Sequence, residues 1–137
     1  MGLGMNARLL KQMQLSHGQQ LVTLTIASGA STSTAVDLTD RGAYGLTVEI
    51  VGGAWTDAAI GVAVSEDGST WAGVYDEAGA RIQIESVSTS VRRVYIWDRD
   101  LWVIKNYRYA RLESINATTG AAVTQGGPRT LRVGVLS

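Results

Sequence analysis

The sequence predicts an all-β protein, an antiparallel β-sandwich of the jelly-roll type with a short N-terminal helix or arm. Beyond residue 20, apolar and polar residues alternate with a period of two in about eight or nine short segments, which is typical of strands with one buried face. Clusters of glycine, serine, threonine and aspartate separate these segments, with little helical periodicity between them. Parallel strands need long crossover connections, so this spacing favours antiparallel pairing. A barrel would also bury such strands, but we favour a sandwich domain over residues 20–137 that follows an arm over residues 1–19.

The first half of the chain contains the clearest strand patterns. Alternation is strong in three segments, residues 22–26, 46–50 and 60–64. The pair Asp67 and Gly68 follows the third segment, and this dipeptide is a favoured turn between two strands. We therefore predict a β-hairpin whose second strand covers residues 71–75.

The second half continues the pattern with less regularity. Alternation recurs in residues 82–85, 93–96 and 130–135. In the middle one of these segments, Val94 and Ile96 are predicted to face the core. Tyr107 and Tyr109 fall on one face of the next segment and Leu112 on the other, so we expect a bulge near Ala110.

The first 15 residues differ from the rest. Met5, Leu9 and Met13 recur at a spacing of four, with charged and amide side chains between them, which indicates a short amphipathic helix. Such a helix is marginal alone in water, so we expect it to be either frayed or docked on something. Two arrangements remain open, a helix that caps its own sandwich and an arm that reaches a neighbour. In either case Leu10 joins these three residues as a predicted contact residue.

Composition excludes several classes of function. The 137 residues contain 12 basic and 12 acidic side chains, and a chain with zero formal net charge lacks the field that drives most binding to nucleic acids or anionic membranes. Cysteine is absent, so disulfides, thiolate nucleophiles and cysteine zinc sites are impossible. The N-terminus lacks the apolar run of a signal peptide or a membrane span, and we expect a soluble protein that is made in a cytoplasm.

The sequence contains few of the side chains that catalysis usually requires. His17 is the single histidine, and with no cysteine present a zinc site or a histidine-based triad is not expected. Acidic residues occur close together at four places: Asp37 with Asp40, Glu66 with Asp67, Asp76 with Glu77, and Asp98 with Asp100. All of them lie in predicted turns or strand ends, where aspartate often accepts backbone hydrogen bonds. We expect no enzymatic activity, no metal and no cofactor.

The aromatic residues indicate a contact surface. The chain has four tryptophans and five tyrosines but no phenylalanine, so every ring carries a polar group suited to the wet edge of an interface. The predicted protein-contact residues in this part of the chain are Trp97, Arg99, Trp102, Tyr107 and Tyr109. Trp55 and Trp71 are expected instead to plug the ends of the sandwich.

The order of several segments resembles small virion proteins of tailed bacteriophages and prophages. The similarity includes Trp55, the Asp-Gly turn before Trp71 and a Tyr-Asp-x-Ala-Gly motif at residues 75–79, and it extends to the segments 22–29, 36–38 and 125–133. Residues 1 to about 19 and 97–107 depart from this pattern.

This resemblance implies a capsid cement or decoration protein. A protein of that kind is a jelly roll on the outer capsid surface of the virion, where it bridges subunits of the major capsid protein after synthesis in the host bacterial cytoplasm. Its implied partners are the major capsid protein and itself, with a homodimer favoured over a trimer. Two alternatives remain: a carbohydrate- or receptor-binding module of a phage tail or fibre, in which exposed rings stack on sugars, and a small hydrolase.

Overall fold

The computed structural model describes residues 21–39, 41–88, 92–97 and 99–137. Within these ranges the chain forms nine β-strands and one short 3₁₀ helix, which confirms the all-β prediction. The strands are β1 Val22–Ile26, β2 Thr32–Asp37, β3 Gly45–Ile50, β4 Ala59–Ser65, β5 Ala72–Gly73, β6 Gln83–Ile84, β7 Arg93–Trp97, β8 Tyr109–Ile115 and β9 Arg129–Leu136, and the 3₁₀ helix is Arg99–Asn106. The predicted N-terminal helix lies outside the described residues.

The strand pairing has the jelly-roll order. Early strands pair antiparallel with late ones, β1 with β9, β2 with β8 and β3 with β7, while β4 pairs with β5 and β6. Two further pairings, β9 with β3 and β8 with β4, complete the two halves of the structure, and the pairing of β1 with β2 joins these halves into one curled nine-stranded sheet. We call β1-β9-β3-β7 the first sheet, and β2-β8-β4 with its edge strands β5 and β6 the second sheet. The predicted sandwich is confirmed in its jelly-roll form.

The core lies between the inner faces of the two sheets. In the first sheet, Val48 and Ile50 of β3 stand opposite Val133 and Leu131 of β9, and all four are buried. In the second sheet, β4 is buried along its whole length. Full burial of one large aliphatic side chain contributes about 1.5–3 kcal/mol. Burial of the apolar residues in the alternating segments is therefore the main source of stabilising free energy.

The orientation of β7 is opposite to the prediction. Val94 and Ile96 are 61% and 66% exposed, while Tyr95 and Trp97 pack against the core. The cause is the register with β3, in which the buried Val48 stands opposite Tyr95. Paired residues point to the same face of a sheet, so the buried face of β3 determines which side of β7 turns inward.

The irregularity predicted near Ala110 lies elsewhere. β8 pairs with β4 in unbroken register, and the register shift occurs in β2 between Thr32 and Ala35. Tyr107 precedes the strand, and its N–H donates a hydrogen bond to the Ile104 carbonyl at the end of the 3₁₀ helix. Tyr109 and Leu112 lie on opposite faces of β8 by ordinary two-residue alternation, so no bulge is needed there.

The predicted hairpin is present, but its second strand is short. β5 covers two residues, and the chain then turns within the Tyr-Asp-x-Ala-Gly motif. Asp76 Oδ1 accepts a hydrogen bond from the Ala80 N–H, and Gly79 adopts a φ of +85°, which favours glycine. The motif is thus a turn that brings Arg81 back opposite Tyr75.

Candidate protein-contact face

The outer side of β4 is a row of small residues. Ala59, Gly61, Ala63 and Ser65 point away from the core, because the alternate residues of β4 stand opposite the inward-facing residues of β8. These four are nevertheless buried. Larger side chains from neighbouring segments must therefore cover this row.

Arg81 is one of the side chains that cover the row. Its Nη2 donates hydrogen bonds to the Val62 carbonyl at 3.0 Å and to Glu113 Oε1 at 2.9 Å. Two glycines make room for the guanidinium group, since a Cβ on Gly61 or Gly73 would lie 3.0 Å or 2.7 Å from Arg81 Cζ. The Arg81 side chain is only 11% exposed, so this cation lies flat on the sheet and is held from several sides.

Glu113 joins Arg81 to a second arginine. Its Oε2 accepts a hydrogen bond from Arg111 Nε at 3.0 Å and lies 2.8 Å from Arg111 Nη2, so each carboxylate oxygen contacts a different arginine. The Glu113 side chain is 16% exposed. Charges this deep need such pairing, because desolvation of an unpaired ion costs several kcal/mol.

Aromatic rings flank the arginines. The Arg111 guanidinium lies 4.4 Å from the centre of the Trp71 ring, Arg81 lies 5.6 Å from that of Tyr75, and Arg108 lies 5.4 Å from that of Tyr109. These distances are within cation–π range. We call the whole set the arginine–aromatic face, which consists of Trp71, Tyr75, Arg81, Arg108, Tyr109, Arg111 and Glu113.

This face is suited to binding a protein surface. Arginine, tyrosine and tryptophan are the side chains most enriched among the residues that contribute most to protein interfaces. Here the hydrogen bonds and ring contacts already hold them in place, so binding would freeze few additional rotamers. The face can therefore act as a preformed contact surface.

Two open pockets adjoin the face. One, of about 300 Å³, lies beside Trp71 and is bounded by Asp67, Thr70 and Tyr107. The other, of about 310 Å³, is lined by Tyr75 and Arg81 together with polar residues, which are Gln83, Glu85, Thr118 and Thr119.

The predicted contact residues in the second half of the chain lie in both sheets and in the 3₁₀ helix or next to it. Tyr109 belongs to the arginine–aromatic face, and Tyr107 lines the pocket beside Trp71. Trp97 lies in β7 of the first sheet with its ring half-buried against the core. The remaining two, Arg99 and Trp102, belong to the 3₁₀ helix. The predicted N-terminal contacts Met5, Leu9, Leu10 and Met13 lie outside the described residues.

The sequence patterns did not predict the central residues of the face, which are Arg81, Arg111 and Glu113. Arg111 and Glu113 are two residues apart in one strand, so their shared outer face was readable from the alternation. Arg81 offered no such signal, because its position depends on two glycines in other strands. Trp71, expected as a plug, stacks instead with Arg111, whereas Trp55 is buried in the core as expected.

Three of the acidic residues predicted in turns act as expected, whereas Asp100 belongs to the 3₁₀ helix. Asp37, Asp67 and Asp76 each accept a backbone hydrogen bond from a residue two to four positions later. Hydrogen bonds from Thr39 lower the pKa of Asp37, and those from the backbone of Thr70 and Ser69 lower the pKa of Asp67. No cluster of histidine, cysteine and acidic residues that could hold a metal occurs within the described ranges. Asp40 and Asp98 lie outside them.

Comparison with known proteins gives one similar structure. No family model and no curated protein matches the chain. A solved structure, the crystal structure of the SPBc2 prophage-derived protein YomS, is similar over 85% of this chain and 93% of that one, with 16% sequence identity and a TM-score of 0.48. These values are too low to transfer a function. In the part of the chain that the structure describes, no helix is long and apolar enough to cross a membrane.

Proposed function

We propose that this chain is a structural virion protein that decorates a bacteriophage capsid and bridges subunits of its major capsid protein. The observation that carries this proposal is the arginine–aromatic face, a preformed contact surface on a rigid jelly roll. The resemblance of segments 22–29 and 65–79 to small virion proteins of tailed phages supports the same assignment.

The mechanism is the burial of several surfaces at once. Each contact with a shell subunit is modest, but a rigid protein that touches two subunits gains effective concentration for the second contact. Within the face, Trp71 and Arg111 are the best candidates for a strong contact, because stacked tryptophan and arginine side chains at the centre of an interface can each contribute 2 kcal/mol or more. Neither catalysis nor a cofactor is required, and the partners are the major capsid protein and a second copy of the chain.

The first test is co-sedimentation of the purified chain with empty capsid shells of the phage that encodes it. We expect saturation at a fixed ratio to the major capsid protein, which would establish that the chain decorates the capsid lattice. A chain that stays in the supernatant at all concentrations contradicts the proposal.

Two substitutions test which face binds. Trp71→Ala and Tyr75→Ala should each weaken shell binding by at least about tenfold, the equivalent of 1.4 kcal/mol. Tyr44→Ala is the matched control, because Tyr44 is an exposed tyrosine that precedes β3 in the first sheet. Circular dichroism and thermal unfolding should show that all three variants remain folded. Equal weakening by the control would mean that the arginine–aromatic face is not the contact surface.

A carbohydrate- or receptor-binding module of a phage tail or fibre is the second candidate. The pocket of about 310 Å³ beside Tyr75 favours it, since an exposed ring next to Gln83, Glu85 and Thr118 offers both a stacking surface and hydrogen-bonding groups. Among the described residues that line this pocket, Tyr75 is the single aromatic one, whereas a coplanar pair of rings would be the stronger indication. Signal on a glycan array that is lost in Tyr75→Ala, without binding to shells, would favour this candidate over the first.

A further inference from the structure

Among the described residues, β7 is an edge strand with exposed side chains. It pairs with β3 through five consecutive residue pairs, and it ends the path of hydrogen-bonded strands. Within the described residues no strand pairs with its other side. Its outward side chains Val94 and Ile96 are the most exposed of the large hydrophobic residues there, at 61% and 66%.

β7 carries one charged side chain, Arg93, and otherwise lacks the features that usually protect an edge strand. Natural edges are shortened, bulged or carry proline or lysine, because an open strand can pair with another chain. The opposite end of the strand path follows this rule, since β5 and β6 have two residues each and a turn separates them. β7 has no proline, no lysine and no register shift, and the residues on its outer face are Val94 and Ile96.

We propose that β7 pairs antiparallel with β7 of a second copy, around a two-fold axis at Tyr95. The pairing joins the two first sheets into one continuous sheet. It places Val94 opposite Ile96 of the partner subunit, twice by symmetry, and so covers the exposed side chains with each other. On the inner face, Arg93 stands opposite Trp97 of the partner subunit, where a cation–π contact can form.

The register follows from the geometry of the sheet. Side chains of paired residues point to the same face, so the inner face of one copy continues into the inner face of the other only if the axis passes through a residue. Of the possible centres, Tyr95 alone allows all five residues of β7 to pair. This arrangement forms roughly four to six backbone hydrogen bonds between the subunits.

We expect a weak dimer that does not assemble further. Stable complexes bury about 800 Å² on each partner, and a five-residue strand edge with two apolar side chains offers less. The equilibrium should therefore depend on concentration. Because each copy uses the same strand, pairing consumes both edges and does not continue into a fibre. This inference does not depend on capsid binding, although a dimer would supply the second contact that bridging requires.

Sedimentation velocity on the full chain tests the pairing. Between about 5 and 500 µM, the weight-average mass should rise from 14.6 kDa toward twice that value. Val94→Lys and Ile96→Lys should each hold the mass at one chain, because a lysine opposite the remaining apolar side chain of the partner subunit replaces the apolar contact with a charge that would be buried without a partner. Leu21→Lys, at an exposed apolar residue that precedes β1 and lies outside both β7 and the arginine–aromatic face, should dimerise like the wild type. A wild type that stays at one chain throughout, or a dimer that both β7 variants retain, overturns the proposal.

Cysteine cross-linking tests the register. The chain has no cysteine of its own, so any disulfide must form through the introduced residues. In the double variant Val94→Cys with Ile96→Cys, each cysteine faces its counterpart in the other subunit at a separation that a disulfide can span, so oxidation should give a covalent dimer. Either single substitution should cross-link poorly, because residue 94 faces residue 96 and not itself. Efficient cross-linking through one single variant, or none in the double variant, overturns the register. Shell binding is measured separately, so its failure leaves these results unaffected.

Discussion

The Arg81 guanidinium lies so close to Gly73 that a Cβ at position 73 would be 2.7 Å from Arg81 Cζ. The absence of a side chain at Gly73 is what allows Arg81 to reach the Val62 carbonyl and Glu113. The arginine–aromatic face therefore depends on the absence of a side chain at a single glycine of β5.

Gly73→Ala should displace Arg81 and destabilise the fold by about 1–3 kcal/mol, the usual cost of inserting a methyl group into a filled site. Gly53→Ala is the control, since a Cβ at Gly53 would have no atom within 4 Å and its φ is not in the left-handed region. Urea unfolding measures both. Equal effects of the two substitutions would contradict the role assigned to Gly73.

Glu113→Gln should cost about 2–4 kcal/mol, because it leaves Arg81 and Arg111 largely buried without their carboxylate. Arg81→Met should also destabilise, by a smaller amount, since Glu113 keeps its contact with Arg111. The double variant should cost less than the sum of the two by at least about 1 kcal/mol, which is expected of groups in direct contact. A double-mutant cycle from chemical unfolding gives this value, and strict additivity would contradict the coupling.

Gln125 is a buried hydrogen-bonding centre. Its Oε1 accepts from the Thr56 N–H at 2.8 Å and from Arg129 Nε at 3.1 Å, while its Nε2 donates to Ser114 Oγ and to the Thr56 carbonyl. Gln125→Ala should destabilise by about 2–4 kcal/mol, because several buried groups lose their partner together. Gln83→Ala, which removes the hydrogen bond from Gln83 Nε2 to a carbonyl in an exposed turn, should change stability by less than about 1 kcal/mol. A loss at Gln125 no greater than at Gln83 would show that the network adds little.

Stability should fall in acid partly through Glu49. Hydrogen bonds from Arg92, together with the charges of Arg92 and Arg132, lower the pKa of Glu49 from its ordinary value of 4.5. A carboxyl whose pKa is lower in the folded state stabilises the fold above the unfolded value and loses that contribution as the pH falls through the folded value. The difference in Tm between wild type and Glu49→Gln should therefore be largest near neutral pH and shrink below about pH 4.5.

Thermal unfolding at a series of pH values measures this difference. Asp37 and Asp67 also have lowered pKa values, but they are present in both proteins and cancel in the comparison. Arg92→Met should reduce the pH dependence in the same way, since Arg92 provides the largest effect on Glu49. A Tm difference that stays constant from neutral pH to pH 3 would contradict the prediction.

The fold class was predictable because its signals are local. Alternation over residues 22–26 and 46–50 reflects the two-residue period of a strand, and the Asp67–Gly68 turn reflects stereochemistry within a few residues. The contact surface was less predictable. Of the residues predicted for it, the structure places Tyr109 in the arginine–aromatic face and Trp97 in the other sheet.

The amino-acid sequence alone determined that the chain is all-β, where its clearest strands lie and that aspartates in its turns accept backbone hydrogen bonds. Each of these features depends on interactions between residues that are close together in the chain. The tertiary structure decided the rest. Both faces of β7 carry large hydrophobic side chains, and the pairing of Tyr95 with the buried Val48 is what turned Val94 and Ile96 outward. Arg81 likewise occupies its place because two glycines from separate strands meet beside it, and a one-dimensional pattern does not contain that meeting.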